Sequence, residues 1–129
     1  MYQDLALMLL VENVEEAATW YQEALGAKIQ YSLPKTPPYE WVSLTLGNSE
    51  LMLSQKQAAQ RWYTEEVPIS EKPANLIAYF YVQNADALYH DMKDKAKIIM
   101  EPTDQPSLIR EFAVQDPFGF TFVFAQIAR

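Results

Sequence analysis

A repeat constrains this chain more than any local motif. Val11 and Val82 stand 82 − 11 = 71 residues apart, and Asn13 and Asn84 share that offset. So do Glu40 and Glu111, Leu51 and Phe122, Leu53 and Phe124, and Gln55 and Gln126. One gap-free offset that holds element type throughout predicts a duplicated module of about 50 residues.

The first copy reads as strand, helix and three strands. Leu5–Val11 is a short continuous apolar run, as expected for a strand buried on both faces. Asn13 is an N-cap with Glu16 three residues on. Val14, Ala17, Ala18, Tyr21 and Leu25 recur at helical spacing before Gly26, predicting a helix over 14–25. Strands are expected at Lys28–Leu33, Glu40–Leu46 and Glu50–Ser54, with Gly47-Asn48 as a hairpin turn.

A polar connector follows, with a short helix around Gln57–Tyr63 and prolines at 68 and 73. The second copy begins with a continuous apolar strand at Leu76–Val82. Asn84 caps a helix whose inner face is Ala85, Leu88, Tyr89, Met92 and Ala96, with Lys93, Lys95 and Lys97 in its last turns. Strands close the module at Ile98–Met100, Arg110–Gln115 and Phe120–Gln126. Before the last of these, Asp116-Pro117-Phe118-Gly119 forms a tight turn. Phe120, Phe122 and Phe124 then alternate with smaller residues, so the aromatic side faces a core and the other side lines a cavity. The chain is read as one domain over 1–129: module one 5–55, connector 56–75, module two 76–126.

Composition narrows the function classes. Of the 129 residues 50% are hydrophobic and 13% aromatic, enough for one well-filled core or an aromatic-lined pocket. No run approaches the ~18 apolar residues of a transmembrane helix, and no basic flank precedes an apolar run as in a signal peptide. The expectation is a cytoplasmic protein without a membrane partner. The absence of cysteine removes disulfides, thiolate metal ligands and cysteine nucleophiles. The net charge of −7 disfavours nucleic acid and suits solubility or a cationic small molecule. Only three glycines are present, and no phosphate loop is formed from them.

Val11-Glu12-Asn13-Val14 leading into Trp20-Tyr21 and Leu25-Gly26 resembles the vicinal oxygen chelate superfamily. Tyr81-Val82-Gln83-Asn84-Ala85-Asp86-Ala87-Leu88 and Asp116-Pro117-Phe118-Gly119 add to the likeness, which runs over about residues 5–126. Glyoxalase I, extradiol dioxygenases, fosfomycin-resistance enzymes and bleomycin-resistance proteins are members. The resemblance implies an α+β fold of two βαβββ modules, with cupped mixed sheets around a cavity, helices outside, and a homodimer. It also implies where metal-dependent members place His, Gln or Glu ligands. Here those positions hold Ala6, Met52, Ile77 and Val123. None suits a hard or borderline divalent ion, so no metal or other cofactor is expected.

Other chemistry is thin. His90 lies on the helix side opposite Leu88 and Met92, with no nucleophile or orienting carboxylate placed beside it, and reads as a surface histidine. Glu15 and Glu16 favour a helix N-terminus, and Glu65 and Glu66 sit in the connector. Glu50 and Glu111 begin strands of the expected cup and are better placed. Strand parity puts Ile77, Tyr79 and Tyr81 on one side, and Ala6, Met8 and Leu10 likewise. Glu50, Met52, Ser54, Thr121, Val123 and Ala125 share that side. Two buried tyrosine hydroxyls on one face would need partners. The ligand-binding candidates are therefore Met8, Trp41, Glu50, Met52, Trp62, Tyr63, Tyr79, Tyr81, Arg110 and Thr121. Trp41 and Phe112 are equivalent by the offset, Trp62 and Tyr63 are placed as a lid, and Arg110 is a fixed positive charge. No residue is assigned a catalytic role. The reading is metal-independent binding or sequestration of a small organic molecule, basic or aromatic, as in bleomycin-resistance-like proteins. The alternatives are an enzyme using Tyr79, Tyr81, Glu50 or Arg110, and a structural or regulatory dimerisation module.

Overall fold

The computed structural model describes residues 1–63, 69 and 75–127. Glu65, Glu66, Pro68 and Pro73 of the connector lie outside them. The chain divides into two compact units, Met1–Ile69 and Ser70–Arg129.

The first unit contains β1 (Leu7–Val11), α1 (Val14–Leu25), β2 (Lys28–Leu33), β3 (Trp41–Leu46), β4 (Ser49–Gln55) and α2 (Lys56–Trp62). Its sheet runs β1-β4-β3-β2, with β1 parallel to β4 and the other pairs antiparallel. The Asn13 side chain accepts from the Glu16 backbone N–H at 3.0 Å, a cap that contributes about 1 kcal/mol. At the other end Gly26 takes φ 72°, and its N–H donates to Gln22 O. Val14, Ala17, Ala18, Tyr21 and Ala24 are the buried face of α1, which packs on β2, β3 and β4. Opposite it Leu9, Val11, Val42, Leu44, Leu51 and Leu53 are buried. A carboxylate oxygen of Glu15 accepts from the Tyr39 backbone N–H, tying the loop before β3 to α1.

The second unit repeats the order: β5 (Ile77–Tyr81), α3 (Ala85–Met92), β6 (Lys97–Gln105), β7 (Ile109–Gln115) and β8 (Thr121–Ile127). Its sheet runs β5-β8-β7-β6, with β5 parallel to β8. Asn84 caps α3 as Asn13 caps α1, accepting from the Ala87 N–H at 3.0 Å. Phe80, Phe112, Phe122 and Phe124 stack on the α3 side of the sheet, and Tyr89 of α3 meets the Phe112 ring edge-on. The two sheets and the βαβββ order make the fold α+β with a repeated module, as the sequence predicts.

Four details differ from the sequence reading. The gap-free offset fails at β3 and β7. Met52 pairs with Ser43 and Val123 with Ala113, but Ser43 and Ala113 are 113 − 43 = 70 apart. The cause is the second hairpin turn. Leu46 and Ser49 close around two residues, whereas the Asp116 N–H bonds Phe120 O around three. The register counterpart of Trp41 is therefore Glu111, and Phe112 matches Val42.

β1 and β5 are not buried on both faces either. As edge strands with a helix on one side only, they leave Met8 and Leu10 half-buried and Ile77, Tyr79 and Tyr81 exposed. The helix α3 stops at Met92, and in the turn that follows Lys95 and Ala96 both donate to Met92 O. Finally, β6 runs on to Gln105 past Pro102, which an edge strand tolerates. Its register shifts there, between Met100 and Thr103.

Candidate functional site

On the face of the second sheet away from α3, cross-strand register sets the neighbours. Tyr79 lies beside Val123 and Tyr81 beside Ala125, while Ala125 and Val123 pair with Glu111 and Ala113 of β7. Ala113, Val123 and Ala125 form a buried apolar floor, with Met100 and Ile109 packed against it. Small residues beside two large rings leave those rings standing clear. Tyr79 is 43% exposed and Tyr81 67%. Their centroids are 5.4 Å apart at an interplanar angle of 71°, an edge-to-face corner.

Glu111 borders this corner. One carboxylate oxygen accepts from the Tyr79 hydroxyl at 2.7 Å, and the other from Gln105 Nε2 at 3.2 Å. The hydrogen bond to Glu111, helped by burial and the nearby negative charge, pushes the Tyr79 pKa up to about 12. Tyr79 thus remains a neutral donor at physiological pH. Its hydroxyl has its partner, although the tyrosines are not buried as strand parity alone suggested.

The first sheet has its own polar group on the face away from α1. Trp41 pairs with Ser54, Ser43 with Met52, Thr45 with Glu50, and Met8 with Met52. A Glu50 oxygen accepts from the Ser43 hydroxyl and, at 3.4 Å, from Gln30 Nε2, which also donates to Ser43 Oγ at 2.8 Å. Ser43 and Ser54 are fully buried, while Met8, Trp41, Glu50 and Met52 are half-buried.

The predicted candidates therefore separate. Met8, Trp41, Glu50 and Met52 share one face in the first unit; Tyr79, Tyr81 and Thr121 share one face in the second. Arg110 does not join them. Its register with Gln126 puts it on the α3 side, where its guanidinium bonds Asp86 at 3.0 Å and Asp104 at 3.1 Å. Those two carboxylates hold its pKa above the usual value. Trp62 and Tyr63 stand exposed at the C-terminal end of α2, whose buried residues are Ala58 and Ala59. His90 is exposed on α3. Sequence reasoning missed Gln105 as a site residue and paired Glu111 with the wrong residue of the first module. The longer turn at Asp116–Phe120 was the available signal.

The four positions implied as metal ligands do not fit a metal. Ala6 precedes β1, Ile77 is 58% exposed, and neither has a donor atom; Val123 is part of the apolar floor, and Met52 offers only a thioether. Glu50 and Glu111 each stand with an amide and a hydroxyl. Among the described residues no three His, Cys, Asp or Glu side chains gather as a metal site would require.

No helix among the described residues is long and apolar enough to cross a membrane. No curated protein matches the chain. Among solved structures it resembles TioX from Micromonospora sp. ML1, at 16% identity over 98% of this chain and 99% of that one, with a TM-score of 0.76. A glyoxalase/bleomycin resistance protein/dioxygenase from Nocardioides gives 0.79 at 17% identity, covering 100% and 87% of the two chains. A hypothetical protein from S. aureus gives 0.74 at 22% identity, covering 98% and 95%. At these identities the likeness speaks for the fold. The family model for the glyoxalase/bleomycin resistance protein/dioxygenase superfamily matches residues 5–124, nearly the whole repeat, and the chain belongs to that superfamily.

Proposed function

We propose that this protein binds a small organic molecule without a metal ion, and that it acts by holding or sequestering that molecule rather than transforming it. The observation that carries the reading is the Tyr79–Tyr81 corner, two solvent-facing rings over a floor of Ala113, Val123 and Ala125. Exposed aromatics with a small-residue floor favour flat or compact apolar groups, and the Glu111–Gln105 edge supplies polar contacts. The donor-free residues at Ala6, Ile77 and Val123 support independence from metal. Membership of a superfamily whose description includes bleomycin resistance proteins is consistent with binding as a function.

A thermal-shift screen with small aromatic and basic molecules tests this. A ligand that prefers the native state at about 100 times its Kd adds ~2.7 kcal/mol, which raises the midpoint by several degrees. The shift is expected in wild type and lost in Tyr79→Ala/Tyr81→Ala. A screen with no shift, or shifts unchanged in that variant, contradicts the proposal.

A further inference from the structure

We infer that the Tyr79–Tyr81–Glu111 corner is a subsite for an organic cation, an alkylammonium or quaternary ammonium group. This deepens the binding reading above and rests on it.

Three observations point the same way. Two electron-rich rings at 71° with centroids 5.4 Å apart form two walls of an open corner, and a cation seated in it lies within the ~6 Å that cation–π attraction requires of both. The residues are 43% and 67% exposed, so a ligand can reach both rings. Beside them stands a carboxylate held in place by two donors, the Tyr79 hydroxyl at 2.7 Å and Gln105 Nε2 at 3.2 Å. Neither donor is a cation, so the Glu111 charge is oriented without being neutralised. The described cations of the second sheet lie elsewhere: Arg110 is engaged on the opposite face by Asp86 and Asp104, and Lys97 reaches Gln115.

Geometry also selects the shape of the cation. The walls of the corner are aromatic carbon, and the floor of Ala113, Val123 and Ala125 is buried and carries no side-chain hydrogen-bond acceptor. A bare ammonium or a guanidinium would lose hydration on that side without replacement. N-methyl groups would instead bury apolar area while the charge faces the rings and Glu111. The net charge of −7 adds long-range attraction of the same sign.

The test uses choline, its neutral isostere 3,3-dimethylbutanol, and 2-phenylethanol as a neutral aromatic, titrated into the full chain by nitrogen-15 NMR. Choline is expected to bind about tenfold more tightly than 3,3-dimethylbutanol, with shifts centred on residues 79–81, 111 and 123. Tyr81→Leu, at an exposed site, is expected to weaken choline about fivefold. Glu111→Gln keeps an acceptor for Tyr79 and is expected to weaken choline about fivefold and the uncharged 3,3-dimethylbutanol less, so that the preference for choline falls. If 2-phenylethanol binds at these rings but choline is no tighter than 3,3-dimethylbutanol, the cation subsite is overturned and small-molecule binding stands. Choline shifts centred elsewhere also overturn it. If none of the three probes binds, the subsite falls with the broader reading.

Discussion

The two modules solve one local problem twice, on different strands. In the first, Glu50 on β4 is held by the Ser43 hydroxyl and the Gln30 amide; in the second, Glu111 on β7 is held by the Tyr79 hydroxyl and the Gln105 amide. Each sheet thus carries a carboxylate on the face its longer helix does not cover, tied by one hydroxyl and one amide. The difference lies in the hydroxyl. Ser43 is wholly buried, and its neighbours are half-buried methionines and Trp41, so the group stabilises the sheet. Tyr79 is exposed and stands beside a second exposed ring, so the same three-group pattern there shapes a surface. On the proposed reading, a duplicated fold has kept its architecture while one copy carries the recognition chemistry.

The largest effect that bears on this comparison comes from the helix-facing sides, where the modules should behave alike. Phe112→Ala and Tyr21→Ala each delete a fully buried ring, and each is expected to cost about 3–5 kcal/mol in urea unfolding. A loss below about 1 kcal/mol in either would break the equivalence of the two cores. Next come the carboxylate partners, where the modules should diverge. Ser43→Ala strips a buried donor from Glu50 and is expected to cost about 1–3 kcal/mol, whereas Tyr79→Phe, at an exposed donor, should cost less than about 1 kcal/mol. The reverse order would mean that the second group, not the first, is the structural one.

The smallest effect concerns pH. The folded pKa of Tyr79 is raised to about 12 from an ordinary value of about 10. The neutral phenol is therefore favoured by folding, and its contribution is complete below pH ~10 and lost as the pH rises through about 12. Ultraviolet titration of the native protein should show one tyrosine ionising near 12. Tyr79→Phe should delete that step, and Glu111→Gln should move it back toward 10. Burial and Glu101 also raise the Tyr89 pKa, so the test is the step near 12: its persistence in Tyr79→Phe would show that it does not belong to Tyr79.

The sequence made the architecture legible because caps, turns and apolar periodicity recur together: Asn13 and Asn84 both cap helices, and both hairpins stand where the repeat puts them. The resemblance carried the same expectation. Strand parity also grouped Tyr79 with Tyr81. What it did not resolve depends on register and coverage. One extra residue in the Asp116–Phe120 turn moves Glu111 onto the tyrosine face and Phe112 onto the helix side, and a repeat read without gaps conceals that step. Arg110 looked like a free charge because Asp86 is 24 residues away in sequence and meets it only across the sheet–helix contact. Apolar runs at β1 and β5 read as fully buried because a sequence does not show which strand is an edge.

On the proposed reading, recognition belongs to the β5–β8–β7 face of the second unit. Mapping the backbone amide shifts of the whole protein on saturation with choline and with 2-phenylethanol tests it most directly. Recognition on this face predicts saturable shifts confined to residues 77–81, 109–115 and 121–125. Saturable shifts centred on Ser43, Glu50 and Met52 would contradict it, as would no saturable shift with either compound.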